Sequence, residues 1–231
     1  MTLELSLSNK CQEFASKTVS FLKNTTGCSA VVLTWYEGSK RQFPHVQVGA
    51  DERMICEYYE RYCSKDPLRA DLLIKNAERV TTFSSAAGDY NPQLLEEYKP
   101  FLKKYNLNDE VDLLLWANGI PVASAALLHT SNSQCQLNEH QLMELQEYLQ
   151  YTFSILPIVR NLNRKSVLST IYKLTKKEQQ VAELLVAGES NGTIAQIMSI
   201  ELATVKTHVI HIFQKLEVSS RSKAIAMIMD Q

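Results

Sequence analysis

The segment TVKTHVIHIFQKLEV, Thr204–Val218, decides how this chain of 231 residues is read. Val205, Val209, Ile212 and Leu216 recur at i, i+4, i+7 and i+11, the spacing of one helical face. Lys206, Thr207, Ile210 and Gln214 lie away from that face, and Thr204, His208, His211 and Lys215 flank it. Such a helix buries its aliphatic stripe against neighbours and keeps a cationic, hydroxyl-bearing side in water. Taken alone the segment fits two readings. It is a core helix with a solvated polar face, or a helix that offers that face to a partner.

Upstream residues narrow the choice. Thr175-Lys176-Lys177-Glu178 has capping-box spacing, so a helix starts there, with Val181, Leu184 and Leu185 on its apolar side. Gly188 can adopt the left-handed conformation that ends it. Ser190 can cap a second short helix through Ile194, Ala195 and Ile197, and Ser199–Glu201 is a tight connection. Three short helices with a tight turn before the last form a helix-turn-helix, whose final helix fits a major groove of duplex DNA.

Two rival chemistries are weaker. His208 and His211 at i, i+3 suggest a metal, but no cysteine or carboxylate stands nearby at ligand spacing, so no metal is expected. Gly188-Glu189-Ser190-Asn191-Gly192 matches GxSxG, a motif that needs a strand before it; an amphipathic helix precedes it here. The two caps account for the same residues. No catalytic residue, enzyme activity or cofactor is expected.

The stretch LTKKEQQVAELLVAG…SNGTIAQIM…TVKTHVIHIFQKLEVSSRSKA resembles the DNA-binding domain of LuxR/FixJ/NarL-class bacterial transcription regulators, over roughly residues 172–231. The class pattern stands here as Leu174, Thr175 and Glu178; Ser190, Asn191, Ile194 and Ala195; Thr204, Val205, Lys206, His208, Ile212, Lys215, Leu216 and Val218; and Arg221 and Ala224. There are five departures. Lys177 replaces an arginine and Gly192-Thr193 a Lys-Glu pair. Glu201 replaces a serine cap and Glu217 a glycine, while Ile210 stands where relatives can carry lysine. The resemblance implies that Lys206, Thr207 and Ile210 face the groove. It makes Thr204, His211, Lys215 and Ser190 candidates for phosphate contacts. It also implies double-stranded DNA as partner and a homodimer, with the apolar last helix SKAIAMIMDQ as a pairing element.

Charge qualifies this. The whole chain carries a net −1. From Thr170 onward seven basic residues face six acidic ones, a net of +1. A single copy should bind DNA weakly and in a salt-sensitive way, so two copies are expected. The alternative is a module that no longer binds DNA and antagonises a related regulator.

The first part of the chain reads as α+β. Leu5, Phe14, Val19, Phe21 and Leu22 suggest an opening helix that stops at Asn24–Gly27. SAVVLTW, Ser29–Trp35, is a strand, followed by an EGSK turn and a second strand, FPHVQV. Ala50–Ser64 is helical by composition, and Asp66-Pro67 and Asn91-Pro92 look like helix starts. Pro100 should break or kink the second of these helices. Asn118-Gly119 joins two further strands as a hairpin. Asn138 and Gln141 open a long helix with a stripe at Leu142, Leu145, Leu149, Leu156 and Val159, kinked at Pro157. The expected architecture is an N-terminal α-β-α sandwich of GAF/PAS-like type over residues 1–165. A linker at 166–173 and an all-α helix-turn-helix domain at 174–231 complete it.

A phosphorylated receiver is not expected, since Tyr-Glu-Gly rather than an acidic pair follows the first strand. YYERYCSKDPL, Tyr58–Leu68, is similar to the Y…DP region of the autoinducer-binding half of quorum-sensing regulators. That similarity makes Trp35, Tyr58, Tyr59, Tyr62, Asp66 and Trp116 candidates to line a small-ligand pocket. Five scattered cysteines without a CxxC fit a reduced, cytoplasmic chain. The first residues lack the pattern of a signal peptide, and no apolar run reaches membrane-spanning length, so no membrane partner is expected.

Overall fold

The computed structural model describes residues 8–36, 44–69, 72, 78–83, 92–133 and 135–230. These fall into two compact units, Met1–Leu156 and Pro157–Gln231.

In the first unit α1 (Asn9–Thr26) buries Cys11, Ala15, Thr18, Val19 and Leu22 along one stripe and leaves Phe21 exposed. Strands β1 (Ala30–Trp35) and β2 (His45–Val48) pair antiparallel; the EGSK turn between them lies outside the described residues, as does Leu5. Helix α2 (Glu52–Glu57) is capped by Asp51 and widens into a π-helical turn, Tyr58–Tyr62. Then come β3 (Val80–Thr82), α3 (Pro92–Lys104), β4 (Leu107–Ala117), β5 (Ile120–Thr130) and α4 (Glu139–Ser154). The five described strands run β2-β1-β5-β4-β3, every pair antiparallel.

The β4–β5 hairpin is the spine of this sheet. Asn118 and Gly119 have φ of 56° and 72°, the pair of left-handed residues that a two-residue turn requires to match strand twist. Alternation then sorts side chains between two faces. Val31, Leu33 and Trp35 point to the layer of α1 and α4, where Trp35 and Phe14 meet Phe153 at 6.0 and 5.7 Å between ring centres. Val32 and Thr34 point the other way, towards α2, the π-helical turn and α3.

Three expectations change. Asp66 does not start a helix among the described residues. It sits in a turn, where its carboxylate accepts hydrogen bonds from the Leu68 N–H (2.8 Å) and the Tyr58 hydroxyl (2.6 Å). Pro100 does not break α3, which runs on to Lys104, while the Asn91 cap lies outside the described residues. The long helix does not pass Pro157: α4 stops at Ser154, and α5 (Pro157–Thr170) opens with that proline in its first turn, where a missing N–H costs nothing.

The second unit begins with α5. Residues 166–170, expected as linker, are helical because Leu168 is needed in the core, packed with Leu174, Val181, Leu185 and Ile194. Then follow α6 (Lys176–Val186), α7 (Asn191–Met198), α8 (Leu202–Lys215) and α9 (Arg221–Met229). Thr175 and Glu178 complete the capping box, and Ser190 and Ser220 cap α7 and α9. Ser199, left-handed at φ 53°, turns the chain between α7 and α8 within three residues. Val205, Ile212 and Leu216 of α8 are buried in the shared core, and Val209 packs against it. Among the described residues no helix is long and apolar enough to cross a membrane.

Candidate functional site

Two places concentrate chemistry, one in each unit. In the second unit, α8 keeps Ala203, Lys206, Thr207, Ile210 and Gln214 exposed, at i, i+3, i+4, i+7 and i+11. This stripe is opposite the buried one, so core packing aims it outward. Ile210 is 55% exposed and adds an apolar group to this stripe. The Thr207 hydroxyl donates to the Ala203 carbonyl, 3.1 Å, so it is tied back to its own helix.

The flanking residues behave differently. Lys215 donates to a Glu178 carboxylate oxygen at 2.7 Å and to the Lys173 carbonyl at 3.0 Å. Glu178 is nearly fully buried. Burial alone would raise its pKa, but hydrogen bonds from Lys215 and from the Thr175 N–H and hydroxyl outweigh that and hold it below the usual carboxylate range. His211 Nδ1 lies 3.7 Å from the other Glu178 oxygen. Ser190 accepts from the Thr193 N–H at 3.1 Å. Of the four residues expected at phosphates, Lys215, His211 and Ser190 are thus engaged within the fold, and Thr204 is exposed. The sequence hid the Lys215–Glu178 pair because its members are 37 residues apart.

In the first unit a cavity of about 580 Å³ lies between the sheet and the layer of α2, the π-helical turn and α3. Its volume is that of a small-molecule site. Met54, Tyr59, Phe101, Ala126 and Leu128 give it apolar walls. Tyr58, Tyr59 and Asp66, expected in a pocket, line it. Trp35 does not, since its place in β1 turns it to the opposite face of the sheet. Tyr62 instead stacks on Phe101, 5.1 Å between centres, outside the lining. Trp116 is also outside it, its backbone held by Gln150 at 2.8 and 2.9 Å.

The polar floor of the cavity comes from strand residues not singled out in the sequence. Glu110 and Asp112, two apart on β4, share the cavity face and are 6% and 4% exposed. NDEVDLLLW carried the signal: acids at alternate positions of a strand that is otherwise apolar. Tyr36 donates to Ser124 Oγ at 2.7 Å, and Ser124 is hydrogen-bonded to Asp112. Burial, and then the charge of Asp66, push the Asp112 carboxyl up to about 8 against that hydrogen bond. Burial, then Asp66 and Asp112, hold Glu110 well above the carboxylate range. Burial and the Asp66 charge likewise raise the Tyr58 hydroxyl well above its ordinary value.

Comparison with known proteins bears on the second unit. Residues 172–228 match the family described as bacterial regulatory proteins, luxR family. The response regulator protein VraR of Staphylococcus aureus (strain Mu3 / ATCC 700698) is 39% identical over 69 residues, 29% of this chain and 33% of that one. VraR of Staphylococcus saprophyticus gives the same figures, so the chain spans about a third of the length of these curated relatives. A crystal structure of Escherichia coli SdiA aligns with 96% of this chain and 91% of that one, at TM-score 0.46 and 14% identity. The second unit, with its capped helices and outward-facing α8, thus carries the chain's similarity to the luxR family of bacterial regulatory proteins, over residues 172–228.

Proposed function

We propose that this chain is a transcription regulator that reads duplex DNA with α8 and is controlled by a small molecule in the cavity of its first unit. The observation that carries the reading is the exposed stripe of Lys206, Thr207, Ile210 and Gln214 on the last helix of a helix-turn-helix. Lysine suits guanine edges or phosphate, and the Thr207 methyl and Ile210 suit thymine methyl groups. Thr204, Ser190 and His211 would meet phosphates at the edge of that surface, and Lys215 would do so only through the part its ion pair leaves accessible. With a net charge of only +1 from Thr170 onward, two copies on half-sites about one helical turn apart would give the grip one copy lacks. A homodimer acting in the cytoplasm fits this reading. A ligand in the cavity would act by favouring one of two arrangements of the dimer.

Selection of binding sites from a randomised duplex pool, followed by anisotropy titration of the selected sequence, tests the proposal. A defined sequence should be enriched, with affinity falling steeply as salt rises. Lys206→Ala should weaken binding by about tenfold or more. No enrichment would favour the antagonist reading, which the commitment of Lys215 to Glu178 supports. Undiminished binding by Lys206→Ala would remove α8 from the interface.

A further inference from the structure

The cavity's polar floor is more acidic than a generic pocket requires. Glu110, Asp112 and Asp66 all border one largely apolar space. An ionised carboxylate offers about four acceptor positions, and burial makes each unfilled one costly. Asp66 is met by the Tyr58 hydroxyl and the Leu68 N–H. The Tyr98 hydroxyl reaches Glu110 only at 3.5 Å. Asp112 Oδ1, on a side chain 4% exposed, has no hydrogen-bond partner.

Charge deepens the asymmetry. The charged groups in the lining are Glu60, Arg61, Asp66, Arg69, Glu110 and Asp112. Arg61 is exposed, and Arg69 donates to the Ser64 carbonyl. Neither is among the groups that act on Glu110 or Asp112, where the neighbouring charges are the acidic Asp66 and Asp109. Once ionised, these carboxyls would have no cation acting on them, and Asp112 Oδ1 has no hydrogen-bond donor of its own. A metal ion is a poor fit. Among the described residues no three His, Cys, Asp or Glu side chains come together as a metal would need. An ammonium group answers each deficit, with three N–H donors on one positive charge. The walls of Met54, Tyr59, Phe101 and Leu128 suit an apolar remainder.

We infer that the cavity takes a small organic amine, its ammonium group on Asp112 and Glu110 and its apolar body against Phe101 and Leu128. This rests on the reading that the cavity holds a controlling ligand. Binding would ionise the Asp112 carboxyl, so the complex sheds a proton to solvent as the ammonium arrives.

Three probes on one skeleton test it with the full chain: phenylbutylamine, phenylbutanol and phenylbutyrate, by calorimetric titration and thermal melting. The amine should bind at least about tenfold tighter than the alcohol, and the acid should not bind. Titrations in phosphate and in Tris should differ in heat by the proton released. Asp112→Asn and Glu110→Gln, which keep shape and remove charge, should bring the amine down to the alcohol's affinity without weakening the alcohol. Circular dichroism would show both variants folded. Equal binding of amine and alcohol, or an amine preference that survives both variants, overturns the amine assignment and leaves ligand control standing. If none of the three binds or shifts the melting of the first unit, both ideas fall.

Discussion

The two units bury polar groups in opposite ways. Among the described residues the second unit buries one, Glu178, whose carboxylate is met by the Lys215 ammonium and the Thr175 backbone N–H while its own N–H donates to the Thr175 hydroxyl. The first buries nine, from Thr18 to Gln146, and holds all six buried side-chain atoms that lack a hydrogen-bond partner. A fold that settles every interior polar atom has its chemistry on the outside, which is where α8 carries Lys206 and Ile210. A fold that leaves Asp112 Oδ1 without a partner against a cavity has kept a polar position of its interior open.

The contrast can be broken most forcefully at Glu178. Glu178→Ala would remove the return half of the capping box and strand Lys215, costing the second unit about 3 kcal/mol in chemical denaturation. Its carboxylate binds protons less readily folded than unfolded. The stability it gives is thus present above the unfolded pKa, near ~4.3, and lost as pH falls through the lower folded value. Next in size is Lys206→Ala, which should cost about 2 kcal/mol of DNA affinity with no change in melting, because its side chain is outside the core.

The first unit should respond to pH in the opposite sense. Asp112 holds its proton more tightly folded than unfolded, so its contribution is intact below about pH 4 and is lost as pH rises towards the folded value of about 8. Melting of the first unit should fall by a few degrees between about pH 6 and pH 9, and Asp112→Asn should flatten that slope. Smallest is Glu217→Gly. Glu217 has φ 56°, in the left-handed region that favours glycine, so the change should stabilise the second unit by about 1 kcal/mol without touching DNA affinity. A fall in stability would show that the Glu217 side chain supports the turn.

What the sequence made legible follows the range of the interactions. The second unit is built from signals three or four residues apart, such as Thr175 with Glu178 and the Val205–Leu216 stripe, so its helices and the outward face of α8 could be read directly. The Asn118-Gly119 hairpin was legible for the same reason. Which face of a strand meets which layer is settled by packing far along the chain. That is why Trp35 turned out to lie against Phe153 instead of the cavity, and why Glu110 and Asp112 went unremarked as its floor. The engagement of Lys215 by Glu178 belongs to the same class, and so does the demand of the second core for Leu168 that made the expected linker helical.

The ion pair at Glu178 has a mechanical consequence. One carboxylate fastens the first turn of α6 to the last turn of α8, at the far end of that helix from its turn with α7. With a tight turn before it and this ion pair at its last turn, the helix is fastened at both ends, so moving it along its axis would break the Lys215–Glu178 contact. If α8 reads DNA as proposed, a ligand bound elsewhere would act through the number and spacing of such helices more readily than through the shape of one.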